Sequence, residues 1–514
     1  MKLLYWLLLC FFVKCEAYRI LAIFPYNGRS HHIYYSAIIE ELITREHEVT
    51  VINYHPLKKL PKLRQISLQD NQHTDHNVNV EAHLKLVYND IRMAYETAQE
   101  FKYIANTNCK KLMTNPHIKN LVKLEAYDVV IVEQFVSDCG LAIAHKLNAP
   151  VVGMTAHILM PWTYSRLGAS NHPAFVPNHF FATGTKPNLL SRVKSAIINF
   201  GMNLYYREMI QKSDQQIVND VYPEIPSLEE LGKNMSLIML NQYFPITGPR
   251  LYGPNVIEVG GMHINQHNHD VDKALQKFLD TSDTGVVYIS FGTVASKFPR
   301  KVIDEIIKLI EKSNMKFVWK TDITDWKAPR NVFLGKWMPQ VAVLCHPKVA
   351  AFVTHSGMLS TSEAMHCGVP VVSVPLFGDQ PANGAAAVEN GLGVMIDITT
   401  LDEQVLSDAL QTVLLDKYQK EAKKVSQLWR DRPLSAMDTA TYWIEYVARN
   451  QGDVNMKPPT VDLPFYQYYM LDLLFIFGSI VVLLIYSVFK VLLVLASLFG
   501  RKKNVKKEKR KKNA

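Results

Sequence analysis

Two stretches of the 514-residue chain gather side chains able to do chemistry. The first is Ser30-His31-His32, in a loop just after an apolar run from Tyr18 to Phe24. An imidazole has an unperturbed pKa near ~6.5 and can take a proton at neutral pH. Alone, a loop histidine is an ordinary surface residue; its place at a strand end makes it a candidate base. The second stretch is Trp337 to Gln380. Its centre, Thr354-His355-Ser356-Gly357, turns out of the apolar run Val349–Val353 into helix formers around Ser362–His366. A helix N-terminus that carries a histidine and a small Ser-Gly turn is a ready site for a phosphate or diphosphate.

The elements that must hold these residues are legible as alternating apolar runs and helical stretches. Strands are expected at Tyr18–Phe24, Glu48–Ile52, Tyr127–Val132 and Pro150–Met154, then at Gly285–Phe291, Phe317–Lys320, Asn331–Leu334, Val349–Val353, Val369–Val374 and Gly393–Ile396. Helical patterns alternate with them, as in parallel doubly wound sheets. Polar residues collect where the strands end, the edge at which open α/β sheets bind ligands. Residues 57–120 are polar and irregular and read as helices and loops decorating the first sheet. Leu189–Met209 reads as a basic amphipathic helix, either lying on a membrane surface or flanking a ligand pocket. The stretch His263–Asp270 is a polar linker, and its His263, His267 and His269 have no rigid element to hold a metal.

The ordered pattern W-x-P-Q at Trp337–Gln340, H-x-G at His355–Gly357, Glu363, GVP at Gly368–Pro370 and D-Q-x-x-N at Asp379–Asn383 resembles the signature of the UDP-glycosyltransferases. The resemblance implies an α/β GT-B fold, with two Rossmann-like doubly wound domains facing across a cleft. It also implies an inverting transferase with a UDP-sugar donor, no cofactor and no metal. Trp337 resembles the family's uracil-stacking residue and Gln340 its ribose contact. His355, with the amides of Gly357 and Ser360, resembles the diphosphate cradle, and Ser290, Gly292 and Thr293 a second phosphate-contacting loop. Glu363 would accept from ribose hydroxyls. Asp379 and Gln380 would each bind two sugar hydroxyls, and Asn383 completes their motif.

His31 aligns with the family's catalytic base, with His32 as the local alternative. The family pairs that base with an aspartate, which fixes its tautomer and steadies its cation. Glu133 occupies the position in register and Asp138 lies five residues on; the shorter Asp138 is slightly favoured. Ser356 stands where the family usually has Gly, tolerable if φ is negative there, and Leu359 where many members have Asn. The segment Arg430–Val447 resembles the family's closing helix, which crosses back onto the first domain, and is most like invertebrate membrane-bound members. That implies UDP-glucose as donor and a hexose moved to a small lipophilic acceptor, as in detoxification or metabolite conjugation. The departures keep a second reading open, a non-catalytic UDP-sugar-binding member that regulates a partner transferase. A third is UDP-sugar hydrolysis or epimerisation.

The net charge of +9 is a property of the tail: residues 501–514 carry nine Lys/Arg against one Glu. The rest is nearly neutral, so a nucleic-acid partner is not expected. Residues 1–17 read as a signal peptide cleaved after Ala17. Leu471–Phe499, apolar apart from Asp472 and Lys490, is long enough to cross a bilayer. Lys490 can snorkel, and the basic tail fits the positive-inside rule. A type I endoplasmic reticulum protein follows, its closing Lys511-Lys512-Asn513-Ala514 resembling a dilysine retrieval signal. The expected division is a first domain at 18–262, a second at 271–449, a linker at 450–467, a membrane region at 468–499 and a tail at 500–514. Homo- or hetero-oligomers are left open. Cys109, Cys139, Cys345 and Cys367 are widely spaced and give no disulfide framework, and Asn234-Met235-Ser236 is a glycosylation sequon.

Overall fold

The computed structural model describes residues 17–69, 78–81, 90–264, 271–293, 295–296 and 298–512. Most of the proposed signal peptide, and His267, His269 and Asp270, lie outside them. The chain forms two compact units, Met1–Pro458 and Pro459–Ala514.

The first unit holds two parallel sheets. One contains β1 (Arg19–Phe24), β2 (Glu48–Asn53), β3 (Leu63–Ser67), β5 (Val129–Glu133), β6 (Val151–Thr155), β7 (Leu237–Leu240) and β8 (Val256–Glu258), in the order β3-β2-β1-β5-β6-β7-β8. The other contains β9 (Val286–Ser290), β11 (Lys316–Lys320), β12 (Val332–Gly335), β13 (Val349–Thr354), β14 (Val371–Ser373) and β15 (Gly393–Met395), in the order β12-β11-β9-β13-β14-β15. Between them β4 (Val78–Asn79) pairs with β10 (Ala295–Ser296). Each sheet reverses direction of growth beside its first strand, between β1 and β5 and between β9 and β13. Such switch points open a crevice at the strands' carboxyl ends.

Apolar runs become strands because both faces of each sheet are covered. Successive side chains alternate between faces: Leu21, Ile23, Val130 and Val132 enter one core, while Ile20, Ala22, Val129 and Ile131 enter another. The second sheet divides likewise, with Val287 and Ile289 on one side and Val286 and Tyr288 on the other.

The helices that position the site are α1 (Arg29–Thr44), α2 (Asp90–Thr114), α3 (Cys139–Lys146), α4 (Leu189–Tyr205), α5 (Gln340–Leu344), α6 (Met358–Cys367), α7 (Gln380–Glu389) and α8 (Ala436–Arg449). The 25-residue α2 lies in the stretch expected to hold helices and loops. A stretch of π-helix, Tyr206–Gln211, extends α4. α4 buries Ile198, Asn199 and Met202 and exposes Leu190, Val193, Ile197, Phe200 and Leu204. α8 packs Ala440, Ile444 and Val447 into the core of the first sheet.

The widely spaced cysteines do pair, contrary to expectation: Cys109 with Cys139 and Cys345 with Cys367. The first bridge staples α2 to the start of α3, and the second staples the end of α5 to the end of α6. In the second unit, α9 (Leu471–Lys512) contains Leu471–Phe499, which among the described residues is the helix long and apolar enough to cross a membrane.

Candidate active site

A cavity of about 470 Å³ lies between the carboxyl ends of the two sheets, lined from both. His31 sits in the first turn of α1, beside the first switch point. Its Nδ1 meets the Glu133 Oε1 at 2.6 Å. Glu133 is buried, ends β5, and also accepts from the backbone N–H of Tyr26 at 3.2 Å. With Nδ1–H donated to the carboxylate, Nε2 keeps a lone pair, the form that can take a proton. His32 does not line this cavity.

Asp138 is not the partner of His31. It is buried and held by Arg166 through two N–H···O bonds of 2.9 and 2.7 Å, by the Tyr206 hydroxyl at 2.8 Å and by the Gln211 amide at 2.9 Å. A buried carboxylate needs such partners, and they occupy its lone pairs. The π-helical stretch carries Tyr206 and Gln211 to it.

On the opposite wall, Trp337 is half exposed rather than packed in a core. The guanidinium of Arg29 and the ammonium of Lys320 lie 5.5 and 4.8 Å from its ring centre. Lys320 donates to the Gly292 carbonyl at 2.9 Å, and burial lowers its pKa to about 8. Neither cation was singled out in the sequence, although Lys320 stands at the visible end of a strand.

Gln340 donates to Glu363 at 2.6 Å and to the Ser360 hydroxyl at 2.9 Å, and accepts from the Tyr288 hydroxyl at 3.1 Å. The other oxygen of Glu363 lies 3.1 Å from His263 Nε2, so the first histidine of the expected linker is a buried member of the site.

His355 follows β13 and is half-buried, and its pKa falls to about 3, chiefly from desolvation and then from the charge of Lys320. It is therefore neutral at pH 7. Gly292 and Gly357 make room for it: a Cβ at either would stand 2.5 Å from His355 Nε2. No side chain caps the N-terminus of α6 at Gly357, and Gly357 to Ser360 line the cavity, so the first amides and the helix dipole are open to an anion.

Ser356 adopts φ +61°, so the condition of a negative φ under which serine would be readily tolerated is not met. That left-handed conformation is what a glycine there would favour. Asn383 donates to its carbonyl at 3.1 Å and to Asp379 at 2.9 Å. Burial raises the Asp379 pKa, and Asp379 lines the same cavity as His31.

Gln380 is less free than expected, because its carbonyl oxygen accepts from the backbone N–H groups of Leu376 and Phe377 at 2.8 and 3.1 Å. Its NH₂ remains for a ligand. Of the proposed donor residues, Gly292, Thr293, Trp337, Gln340, His355, Gly357, Ser360, Glu363, Asp379 and Gln380 line the cavity. Ser290 and Asn383 do not. Leu359, which also lines the cavity, packs against the core of the first sheet.

The family model of UDP-glucoronosyl and UDP-glucosyl transferases matches residues 20–511. UDP-glucosyltransferase 2 of Dactylopius coccus is 30% identical over 465 residues, 88% of each chain. UDP-glycosyltransferase UGT5 of the same organism is 30% identical over 99% of both chains. UDP-glucuronosyltransferase 1A7 of Mus musculus is 27% identical over 97% of this chain and 95% of its own. Among solved structures, the glycotransferase of kitacinnamycin superposes with a TM-score of 0.57 at 16% identity, covering 84% of this chain and 99% of its own. LpCGTa in complex with UDP gives 0.53 at 15% identity over the same shares. The two parallel sheets thus have the GT-B fold, and the chain belongs to the UDP-glucuronosyl and UDP-glucosyl transferase family.

Proposed function

We propose that this chain transfers glucose from UDP-glucose, with inversion, to a hydroxyl of a small lipophilic acceptor. In this reading it works in the endoplasmic reticulum lumen, held as a type I protein by α9. The observation that carries it is the His31–Glu133 pair lining up on one side of a cavity whose other wall is Trp337 and the open N-terminus of α6.

The uracil stacks on Trp337, and Gln340 and Glu363 turn from each other to the ribose. The diphosphate sits on the amides of Gly357 to Ser360, with Lys320 supplying positive charge. Asp379 and the Gln380 amide bind sugar hydroxyls, while Ser290 and Asn383 position the loops behind. The acceptor oxygen bonds to the anomeric carbon as the bond from that carbon to the UDP oxygen breaks. His31 Nε2 takes the hydroxyl proton, and UDP leaves with the electron pair. Glu133 steadies the resulting imidazolium. Glucose is preferred as the sugar because the Dactylopius relative at 30% identity is named a glucosyltransferase.

Microsomes containing the full chain, given UDP-glucose or UDP-glucuronate with a panel of phenols, test the reading. Glucoside formation lost in His31→Ala, with UDP binding kept, supports it; UDP binding without transfer to any acceptor overturns it. Since the helix terminus and Lys320 meet the diphosphate charge, chelation of divalent metals should leave turnover unchanged. Asn234 is exposed, so a lumenal orientation predicts an endoglycosidase-sensitive form that Asn234→Gln abolishes.

A further inference from the structure

His263 enters the site from the segment that joins the two sheets, and the transfer chemistry assigns it nothing. Val259-Gly260-Gly261-Met262, just before it, is held in one shape by its own sequence. The Val259 N–H donates to the Leu240 carbonyl and the Gly260 N–H to that of Gln242, both at 2.9 Å, so the chain stays paired beyond the end of β8. A Cβ on Gly260 would stand 2.6 Å from the Gln242 carbonyl carbon. One on Gly261, at φ +82°, would stand 2.6 Å from the Trp429 ring. Glycine is what these close approaches require. Met262 then anchors in the core of the first sheet, and its N–H closes the turn on the Val259 carbonyl at 3.2 Å. His263 therefore leaves a fixed turn. Its side chain is 2% exposed, and its ring centre lies 5.8 Å from that of Tyr34, which α1 carries one turn after His31.

His263 Nε2 meets Glu363 Oε1 at 3.1 Å, while Gln340 donates to Oε2 at 2.6 Å. An ionised carboxylate only accepts, so the hydrogen of this bond sits on Nε2. Each oxygen of Glu363 thus has one donor and keeps lone-pair capacity for another. Two adjacent oxygens with that capacity match a vicinal diol, such as the 2′ and 3′ hydroxyls of a ribose. When Gln340 turns to the ribose, Glu363 loses that donor. A buried carboxylate short of donors is costly, and nothing aims it. His263, fixed by its turn, is the partner that stays.

We infer that His263 is a positioning residue for the donor: its Nε2–H holds the Glu363 carboxylate toward the ribose diol and so sets the preference for a ribonucleotide over a deoxyribonucleotide. This rests on the reading of Glu363 as a ribose contact and adds the residue that aims it. Because His263 rides on the turn that follows the last strand of the first sheet, the ribose is recognised by both halves of the cleft together.

The test uses the full-length protein in detergent and calorimetric binding of UDP and 2′,3′-dideoxy-UDP, with a thermal midpoint for each variant. Two hydroxyls donating to one carboxylate should give the unaltered protein a preference for UDP of at least about 100-fold. Glu363→Ala should erase it. In His263→Phe, which keeps a ring beside Tyr34 but no N–H, the preference should fall at least about tenfold. In His263→Gln, which keeps an N–H for the carboxylate, it should partly recover. Affinity for 2′,3′-dideoxy-UDP should stay nearly level across these His263 proteins, which a general structural defect would not allow. With UDP-glucose, KM should rise by more than kcat falls.

A full preference in a folded His263→Phe protein, or in His263→Leu where the first does not fold, overturns the inference and leaves Glu363 on the ribose. Equal loss in the Phe and Gln proteins overturns it as well, since the imidazole would then act by its shape and not by its N–H. Parallel loss of UDP and 2′,3′-dideoxy-UDP binding has the same consequence. A preference untouched by Glu363→Ala sinks the ribose reading itself, and this inference with it.

Discussion

Glutamate reaches where aspartate was expected because Glu133 ends β5 directly beside β1, and its extra methylene carries the carboxylate to His31 Nδ1 at 2.6 Å. Asp138, five residues on, is claimed by Arg166, a partner 28 positions later that no local pattern reveals. The two carboxylates should therefore fail differently. Glu133→Gln removes the charge that steadies the imidazolium, and kcat should fall roughly 100-fold to 10,000-fold with UDP affinity and thermal midpoint kept. Asp138→Asn takes the charged bidentate partner from the buried Arg166 guanidinium, which keeps Glu229 at Nε, and should cost up to about 3 kcal/mol of stability. Steady-state kinetics beside a denaturation curve separates the two; equal kinetic defects in both variants would contradict the assignment. Ser356 gives a second residue-level expectation. A buried serine at φ +61° is strained, so Ser356→Gly should stabilise the protein by about 1 kcal/mol without weakening UDP binding. A loss of stability would mean that its hydroxyl has an unseen task.

At the scale of elements, sequence reading succeeded where one signal dominates and failed where tertiary partners decide. The strands of both sheets were legible because parallel strands covered on both faces are short continuous apolar runs. β3, β7 and β8 were not: LRQIS is an edge strand with only Ile66 buried, and Leu237–Leu240 and Val256–Glu258 are runs of only four and three residues. Helices were expected around α2 but its bounds were not legible, because several of its inward positions are small or polar (Ala94, Ala98, Ala105, Asn108, Cys109), and small residues blur a helical period. The disulfides span 30 and 22 residues with no framework spacing to betray them. The second matters for the site, because α5 carries Gln340 and α6 carries Ser360 and Glu363. Replacing Cys345 and Cys367 together by serine should cost about 2–4 kcal/mol and weaken UDP binding. Equilibrium unfolding and calorimetry with UDP would check both parts, and unchanged UDP affinity would show that packing alone holds the two helices in register.

At the scale of the whole molecule, the two sheets meet at one cavity and share α8, which follows the second sheet in the chain but packs on the first. Neutral histidines sit on both sides of that cavity: the buried His157 and His179 from the first sheet's loops and the half-buried His355 from the second's. Their pKa values are depressed in the fold and near ~6.5 in the unfolded chain. Between about pH 6.5 and about pH 4 the unfolded chain therefore binds more protons at these sites than the folded one, and stability must fall as pH drops through that window. Asp214 works the other way. Burial raises its pKa to about 7, so the folded chain holds a proton there that the unfolded chain has released, and that group favours the fold as pH falls below 7. Burial also raises Asp379 and Glu258, in the same sense. The three depressed imidazoles act together against the raised carboxyls, so the thermal midpoint of the full-length protein should be highest near neutrality and decline from pH 7 to pH 5. The decline should be shallower in His179→Phe, which removes one of the three. A midpoint that rises on acidification would mean that the carboxyls control the balance and that the histidines around the cavity are not held neutral.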